Sequence, residues 1–138
     1  MTLPFIAGCW SSAHAQNCLR YEVPVALTGT LRSQVFAGPP NYESIRRGDR
    51  KETAIILTLD KRTCTTDNDP THTGDIPEAG IREMQLVITE SAAWKTIRNR
   101  MGKRVRVTGT LFHANTGHHR TKVLIYVTHI RSATRVKI

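Results

Sequence analysis

The chain has 138 residues, a formal net charge of +9 and 39% hydrophobic residues, values that fit one domain with a single core. The charge is uneven, because residues 91–138 contain 11 Lys and Arg and no acid, whereas residues 1–90 contain nine Lys and Arg and 11 acids. The basic part favours an anionic partner, or else forms a solvated face. No stretch approaches the roughly 20 apolar residues of a membrane span, so we expect no transmembrane segment.

Residues 1–15 resemble an exported leader. Leu3 to Trp10 is mostly apolar, and Ala13 and Ala15 are the small residues that signal peptidase requires, so we expect cleavage before Gln16. The basic start of such a leader is missing, which predicts a truncated leader or a start site placed too late. The sequence predicts a periplasmic or secreted protein with one domain at residues 16–138. An alternative stays open, in which Ile6 to Cys9 is a lipobox and Cys9 carries a bacterial lipid anchor.

The two cysteines outside the leader are expected to form a disulfide. Cys18 lies five residues before the first apolar strand at Val23, and Cys64 lies five residues after the second strand ends at Leu59. Antiparallel pairing of those strands would bring the sulfurs together, and an oxidising compartment would keep them bonded. Neither cysteine lies in a C-x-x-C motif, so a metal or catalytic role is less well supported.

Three strands are predicted in the first two thirds of the chain. Val23–Leu31 alternates apolar and small polar residues, residues 53–60 form a second strand, and Met84–Ile88 forms a third. A proline-rich and glycine-rich connection at residues 32–52 separates the first two strands, and it is long enough to be functional or to hold a short helix. The polar run at residues 62–80 predicts a second loop.

One helix and a hairpin complete the predicted fold. The helix spans residues 91–101, with Ser91 as its cap, Gly102 at its end and Trp94 packed against the barrel. Residues 104–130 then form two strands joined at a tip that carries His118 to Arg120. The predicted class is all-β with one short helix, in the order β-β-β-α-β-β of a five-stranded OB-fold-like barrel.

Short motifs through most of the chain after the leader carry a resemblance to a known family, namely Cys18 to Glu22, Leu27 to Leu31, Pro40 to Ser44, Gly102 to Val105, Leu111 to Ala114 and Gly117 to His119. With these motifs the sequence resembles a bacterial family called domain of unknown function 4431. The resemblance implies an exported bacterial domain and assigns no activity.

In an OB-fold, the loops after the first and fourth strands flank the ligand-binding face. Here these loops are residues 32–52 and 113–121, and they contain an aromatic ring, an amide, imidazoles and arginines. We therefore expect a non-catalytic binding module for an anionic or sugar/phosphate-type ligand, unless these side chains are merely structural or solvated. The candidate ligand-binding residues are Asn41, Tyr42, Arg46, Arg47, His113, His118, His119 and Arg120.

Two other functions stay open. The domain would alternatively be an inhibitor or immunity-type protein that blocks a periplasmic enzyme. A third possibility is a metal-dependent enzyme that uses His113, His118 and His119, because neutral imidazole is a good ligand for zinc and copper. No H-E-x-x-H, Ser-His-Asp or phosphate-loop motif is present, so we expect no enzyme and no cofactor. Nucleic acid is disfavoured as a partner, because few aromatic residues are available for stacking on single strands.

Overall fold

The structure is a computed structural model, and it describes residues 17–67 and 75–133. The predicted leader and the alternative anchor at Cys9 lie outside these residues. Within them, no helix has both the length and the apolar character needed to cross a membrane.

A closed barrel of five strands dominates the fold. Two short strands, β1 and β4, form a separate parallel pair, and one helix, α1, lies between β5 and β6. The barrel strands follow the order β2-β3-β5-β7-β6, which confirms the predicted all-β class and strand–helix order. The elements are β1 (Leu19–Arg20), β2 (Pro24–Ala37), β3 (Lys51–Thr63), β4 (Thr65–Thr66), β5 (Ile81–Val87), α1 (Ser91–Asn99), β6 (Arg104–His113) and β7 (Val123–Ser132).

The core lies inside the barrel because alternate residues of each strand point inward. On β6, Val105, Val107 and Leu111 are buried, while Arg106 between them is exposed. Gly109 shares the inward face, and a Cβ at this position would collide with the backbone carbonyl of Tyr126 on β7. The glycine therefore permits a strand approach that no larger residue would allow.

The first two barrel strands are longer than the sequence predicted. Residues Pro24–Thr30 of β2 pair with β6, and residues Gly29–Ala37 pair with β3, so one strand serves two neighbours in succession. This second pairing extends β2 to Ala37 and moves the start of β3 back to Lys51. The loop expected at residues 32–52 is consequently residues 38–50, and it holds a short 3-10 turn at Ile45–Arg47.

Two details of the helix prediction are wrong. Glu90, rather than Ser91, occupies the N-cap, and no side-chain hydrogen bond caps this end. Trp94 does not pack fully against the barrel, because its side chain is 40% exposed. Ile97, one turn later, is completely buried and makes the main apolar contact of α1 with the core.

Cys18 and Cys64 have their sulfurs 2.13 Å apart, at the distance of a disulfide bond, as the sequence predicted. They flank the small sheet, in which Leu19 of β1 pairs with Thr65 of β4. The buried Tyr21 follows β1, and its hydroxyl donates to the carbonyl of Ile76 over 2.6 Å. Burial raises the pKa of this phenol above its ordinary value, so it stays protonated and keeps donating.

Candidate functional site

The loop at residues 38–50, after β2, meets the loop at residues 114–122, after β6. The Tyr42 hydroxyl lies 3.3 Å from Nε2 of His118, and the two rings are edge to face with centroids 5.7 Å apart. Gly117 lies against the Tyr42 ring, and a Cβ there would lie 3.0 Å from the ring carbon Cζ. A side chain at residue 117 would therefore press on Tyr42 and loosen the contact between the loops.

Asp49 holds the first loop in shape. Its carboxylate accepts backbone N–H groups from Asn41, Glu43 and Ser44, at 3.0, 2.9 and 2.9 Å. These bonds, led by the one from Ser44, outweigh burial and lower the pKa of Asp49. Tyr42, in the middle of this turn, has a left-handed φ of 56°, a conformation that the surrounding hydrogen bonds support.

Glu52, at the start of β3, holds the second loop through its carboxylate. One oxygen accepts from the Arg120 guanidinium at 2.6 Å, and the other lies 2.7 Å from Nδ1 of His118. Desolvation opposes ionisation of Glu52, but the bonds from Arg120 and His118 outweigh it and lower the pKa of the carboxyl. Because Glu52 holds Nδ1 of His118, Nε2 of the same ring is left to face the Tyr42 hydroxyl.

Arg120 is the least exposed charge of this cluster, with 10% of its side chain accessible. Its guanidinium lies 5.0 Å from the centroid of the Phe36 ring and 5.5 Å from that of Tyr42. Cation–π attraction to both rings adds to the ion pair with Glu52. The arginine is therefore fixed and compensated within the protein, rather than free to meet an anion alone.

Gln85 of β5 fixes the second loop through its side-chain amide. Its side-chain oxygen accepts the backbone N–H of Arg120 at 2.6 Å, and its side-chain nitrogen donates to the carbonyl of His118 at 3.2 Å. Beside it lies an open pocket of about 250 Å³. The pocket is lined by Glu52, Thr53, Ala54, Gln85, His118 and Arg120.

Of the eight candidate residues predicted from the sequence, two line this pocket, His118 and Arg120, and Tyr42 contacts His118. Arg46 and Arg47 are exposed in the 3-10 turn, and neither forms an ion pair within residues 17–67 and 75–133. His113 points to Glu78, with 3.1 Å between Nε2 and the carboxylate. His119 folds back on its own loop, where Nδ1 accepts the backbone N–H of Asn115 at 2.9 Å.

Burial, followed by the charge of His118, lowers the pKa of His119. Its protonation would also break the hydrogen bonds that Nδ1 accepts from the backbone N–H groups of Asn115 and Thr116. The neutral imidazole of His119 therefore stabilises the conformation of its own loop. The three histidines thus have three different partners, and the described part of the chain contains no group of three or more His, Cys, Asp or Glu placed to hold a metal ion.

Sequence reasoning missed Glu52, Gln85 and Phe36. Glu52 lies 66 residues from His118 and 68 from Arg120, so no local spacing connects them. The one available signal was that Glu52 immediately precedes an apolar strand. The barrel brings the start of this strand next to the loop between β6 and β7. Asn41 contributes its backbone N–H to the turn at Asp49.

One family model matches part of this chain, in a segment that runs from β5 through α1 into β7 and includes Gln85, His118 and Arg120 of the pocket. No curated protein matches the chain. Residues 83–131 match the model of the family described as Domain of unknown function (DUF4431), which is the family that the sequence resembles.

Proposed function

We propose that this domain is an exported, non-catalytic binding module whose ligand occupies the pocket between loops 38–50 and 114–122. The observation that carries the proposal is the network of Tyr42, His118, Glu52 and Arg120, which joins both loops at one side of the pocket. Ligand sites are typically concave and largely pre-formed, with a few fixed polar groups. This network supplies such groups without requiring the loops to rearrange.

Charge and size favour a sugar-like ligand within the broader sugar or phosphate class. Glu52 compensates Arg120, so the pocket presents donors and acceptors side by side rather than a net positive charge. Hydroxyl groups both donate and accept, which suits such a lining. A volume of about 250 Å³ fits one small ring.

Export is part of the same proposal. A bond between Cys18 and Cys64 persists in an oxidising compartment such as the bacterial periplasm and is rare in the cytosol. The apolar residues before Gln16 and the small residues at Ala13 and Ala15 add the signal for secretion. Mass spectrometry of the protein recovered from the periplasm should show a mature chain that starts at Gln16. A chain modified at Cys9 would instead support the lipoprotein alternative.

A thermal-shift panel of monosaccharides and sugar phosphates would test the ligand. We expect at least one member to raise the melting temperature of the wild-type protein, and Tyr42→Ala to abolish that rise. Tyr126→Ala is the matched control, because Tyr126 is similarly exposed, at 46% against 37% for Tyr42, but its ring contacts Phe112, whereas the ring of Tyr42 contacts His118. A ligand that binds the Tyr42→Ala protein as well as wild type would contradict the proposed site.

The inhibitor or immunity-type alternative is favoured by one separate observation, an incompletely paired edge of β3. Along Lys51–Leu59 this strand pairs with β2, but among the described residues it pairs with β5 only at Ile56–Thr58 and Thr63. Gly38 donates to the carbonyl of Arg50, so by the alternation of antiparallel bonds the backbone groups of Thr53 face away from β2. They face the pocket, where a partner strand could pair with them.

Thr53→Pro separates the two candidates. It removes the N–H group on the free edge and leaves the ladder with β2 intact, so we expect little loss of stability. Strand addition by a partner enzyme would be lost in this variant. Sugar binding would be retained, because Thr53 lines the pocket without belonging to the network of Tyr42, His118, Glu52 and Arg120. If Thr53→Pro instead lost sugar binding and still bound the partner enzyme, the edge of β3 would be assigned to the sugar and not to the partner.

A further inference from the structure

The C-terminal part of the chain carries exposed cations at the end of the barrel away from the pocket. Of the Lys and Arg in residues 91–133, three pair with acids, namely Arg104 with Asp60, Arg120 with Glu52 and Lys122 with Glu78. Five others are exposed and form no ion pair with any described residue. We call these five the basic surface: Lys95, Arg98, Lys103, Arg106 and Arg131.

The backbone brings these five cations together. Arg106 on β6 is the direct cross-strand partner of Arg131 on β7. Like charges placed opposite one another destabilise a sheet, so this pair is costly unless something anionic lies against it. Lys103 immediately precedes β6, and its carbonyl accepts the backbone N–H of Leu31, which fixes the short connection from α1 at the same end of the strand.

Trp94 adds an exposed indole to this end of the molecule. It lies one helical turn before Arg98, and residues four apart share a face of a helix. Lys95 lies three residues before Arg98 and neighbours it on the helix surface, whereas Ile97 faces the core. Trp94 was expected to pack on the barrel, and its 40% exposure leaves an amphipathic ring at the surface beside two cations.

We propose that the basic surface docks this domain onto a bilayer that contains anionic phospholipids, with the Trp94 indole at the level of the headgroups. Lys and Arg near an anionic bilayer are attracted to its lipids, and Trp is enriched at membrane interfaces. A single-stranded nucleic acid would call for several stacking rings, and a protein partner for an apolar patch; Trp94 is one isolated ring. The combination of five cations and one indole therefore fits a lipid surface best.

This site is separate from the pocket of the proposed function. Arg106 and Arg131 lie at the open end of the β6–β7 hairpin, and His118 lies in the loop that closes it. The seven residue steps from Arg106 to His113 span roughly 23 Å of extended strand. Docking through the basic surface would therefore leave the pocket turned away from the bilayer and open to ligand.

Vesicle binding by the mature chain, from Gln16 onward, would test this inference. Trp94 is the single tryptophan of that chain, because the other tryptophan of the sequence, Trp10, lies in the leader. With vesicles of phosphatidylcholine and about one third phosphatidylglycerol, we expect co-sedimentation, a blue shift of Trp94 emission and quenching by brominated lipid. Added salt should release the protein, and vesicles of phosphatidylcholine alone should not bind it in this way.

Charge variants locate the contact. Arg98→Gln and Arg106→Gln should each lower the partition coefficient about fivefold, the value expected for one cation near an anionic surface. Lys51→Gln is the control, because it removes one exposed cation at the pocket end and should change partitioning little. Equal losses in all three variants, or Trp94 emission that stays unshifted, would overturn the proposal. Binding to a thymidine oligonucleotide but not to the vesicles would overturn it in favour of a nucleic-acid partner.

Discussion

The pair of Glu52 and Arg120 should stabilise the fold more than an exposed pair of the same geometry. The chain contains a natural comparison, because Arg32 and Glu83 lie 2.7 Å apart and Arg120 and Glu52 lie 2.6 Å apart. The side chains of the first pair are 37% and 51% exposed, whereas Arg120 is 10% exposed and Glu52 is 26% exposed. The two ion pairs themselves therefore differ mainly in burial, while Arg120 also contacts the rings of Phe36 and Tyr42.

The size of the effect follows from this burial. A hydrogen bond between charged groups contributes about 1.5 to 3 kcal/mol when water is excluded. Because Glu52 is partly exposed, we expect its coupling energy with Arg120 to be about 1.5 kcal/mol. Exposed pairs contribute roughly 0.2 to 1 kcal/mol. Glu52→Gln alone should cost somewhat more than the coupling energy, because it leaves the Arg120 guanidinium poorly compensated in a nearly buried position.

Two double-mutant cycles would measure these couplings. One combines Glu52→Gln with Arg120→Met, and the other combines Glu83→Gln with Arg32→Met, with the free energy of unfolding taken from urea denaturation followed by circular dichroism. We expect the coupling energy of the first cycle to exceed that of the second by about 1 kcal/mol. Coupling energies that agree within about 0.5 kcal/mol would refute the argument that burial, rather than geometry, decides the contribution.

Three further predictions concern other parts of the chain. Gly109→Ala should lower the melting temperature steeply or prevent folding, because its Cβ would collide with the carbonyl of Tyr126, and thermal unfolding would show this. Replacing Cys18 and Cys64 with Ser should cost about 4 kcal/mol for their sequence separation of 46 residues, measured as a shift in the urea midpoint. The pKa of Asp49 is lowered in the folded protein, so Asp49 stabilises the fold at pH values above its unfolded pKa of about 3.9. This stabilisation is lost as the pH falls through the folded pKa. The free energy of unfolding of Asp49→Asn should therefore change less with pH in that acid range than that of wild type.

The order of elements was readable from the sequence because it depends on local patterns. Alternation at Val105, Val107 and Leu111 predicts a half-buried strand, and the structure buries all three residues. The position of the helix was also accessible, since Ile97 lies on its apolar stripe and Gly102, with φ of 79°, follows its end. The resemblance to a family depended on motifs near β6 together with others before residue 45, and the matched segment contains Ile97 and the whole of β6.

The extent of the strands and the exposure of side chains were not readable in this way. β2 runs to Ala37 because it leaves β6 and pairs with β3, a change of neighbour that no local pattern announces. Trp94 has the spacing of a core residue, yet it remains 40% exposed beside Ile97. Whether an apolar side chain on the edge of a stripe is covered depends on the curvature of the surface below it, which is a property of the assembled barrel.

The sequence by itself therefore determined the five barrel strands and the single helix, because the period of hydrophobic residues is a local pattern. It also determined the pairing of Cys18 with Cys64, because each cysteine lies close to the end of a strand that has to pair. Only the tertiary structure decided which charges meet. It separated His113, which contacts Glu78, from His118, which contacts Glu52. It also closed the ion pair of Arg120 with Glu52 across 68 residues of chain. The physical reason is that a charge selects its partner by distance in space after the barrel closes, and that distance is set by strand register rather than by sequence spacing.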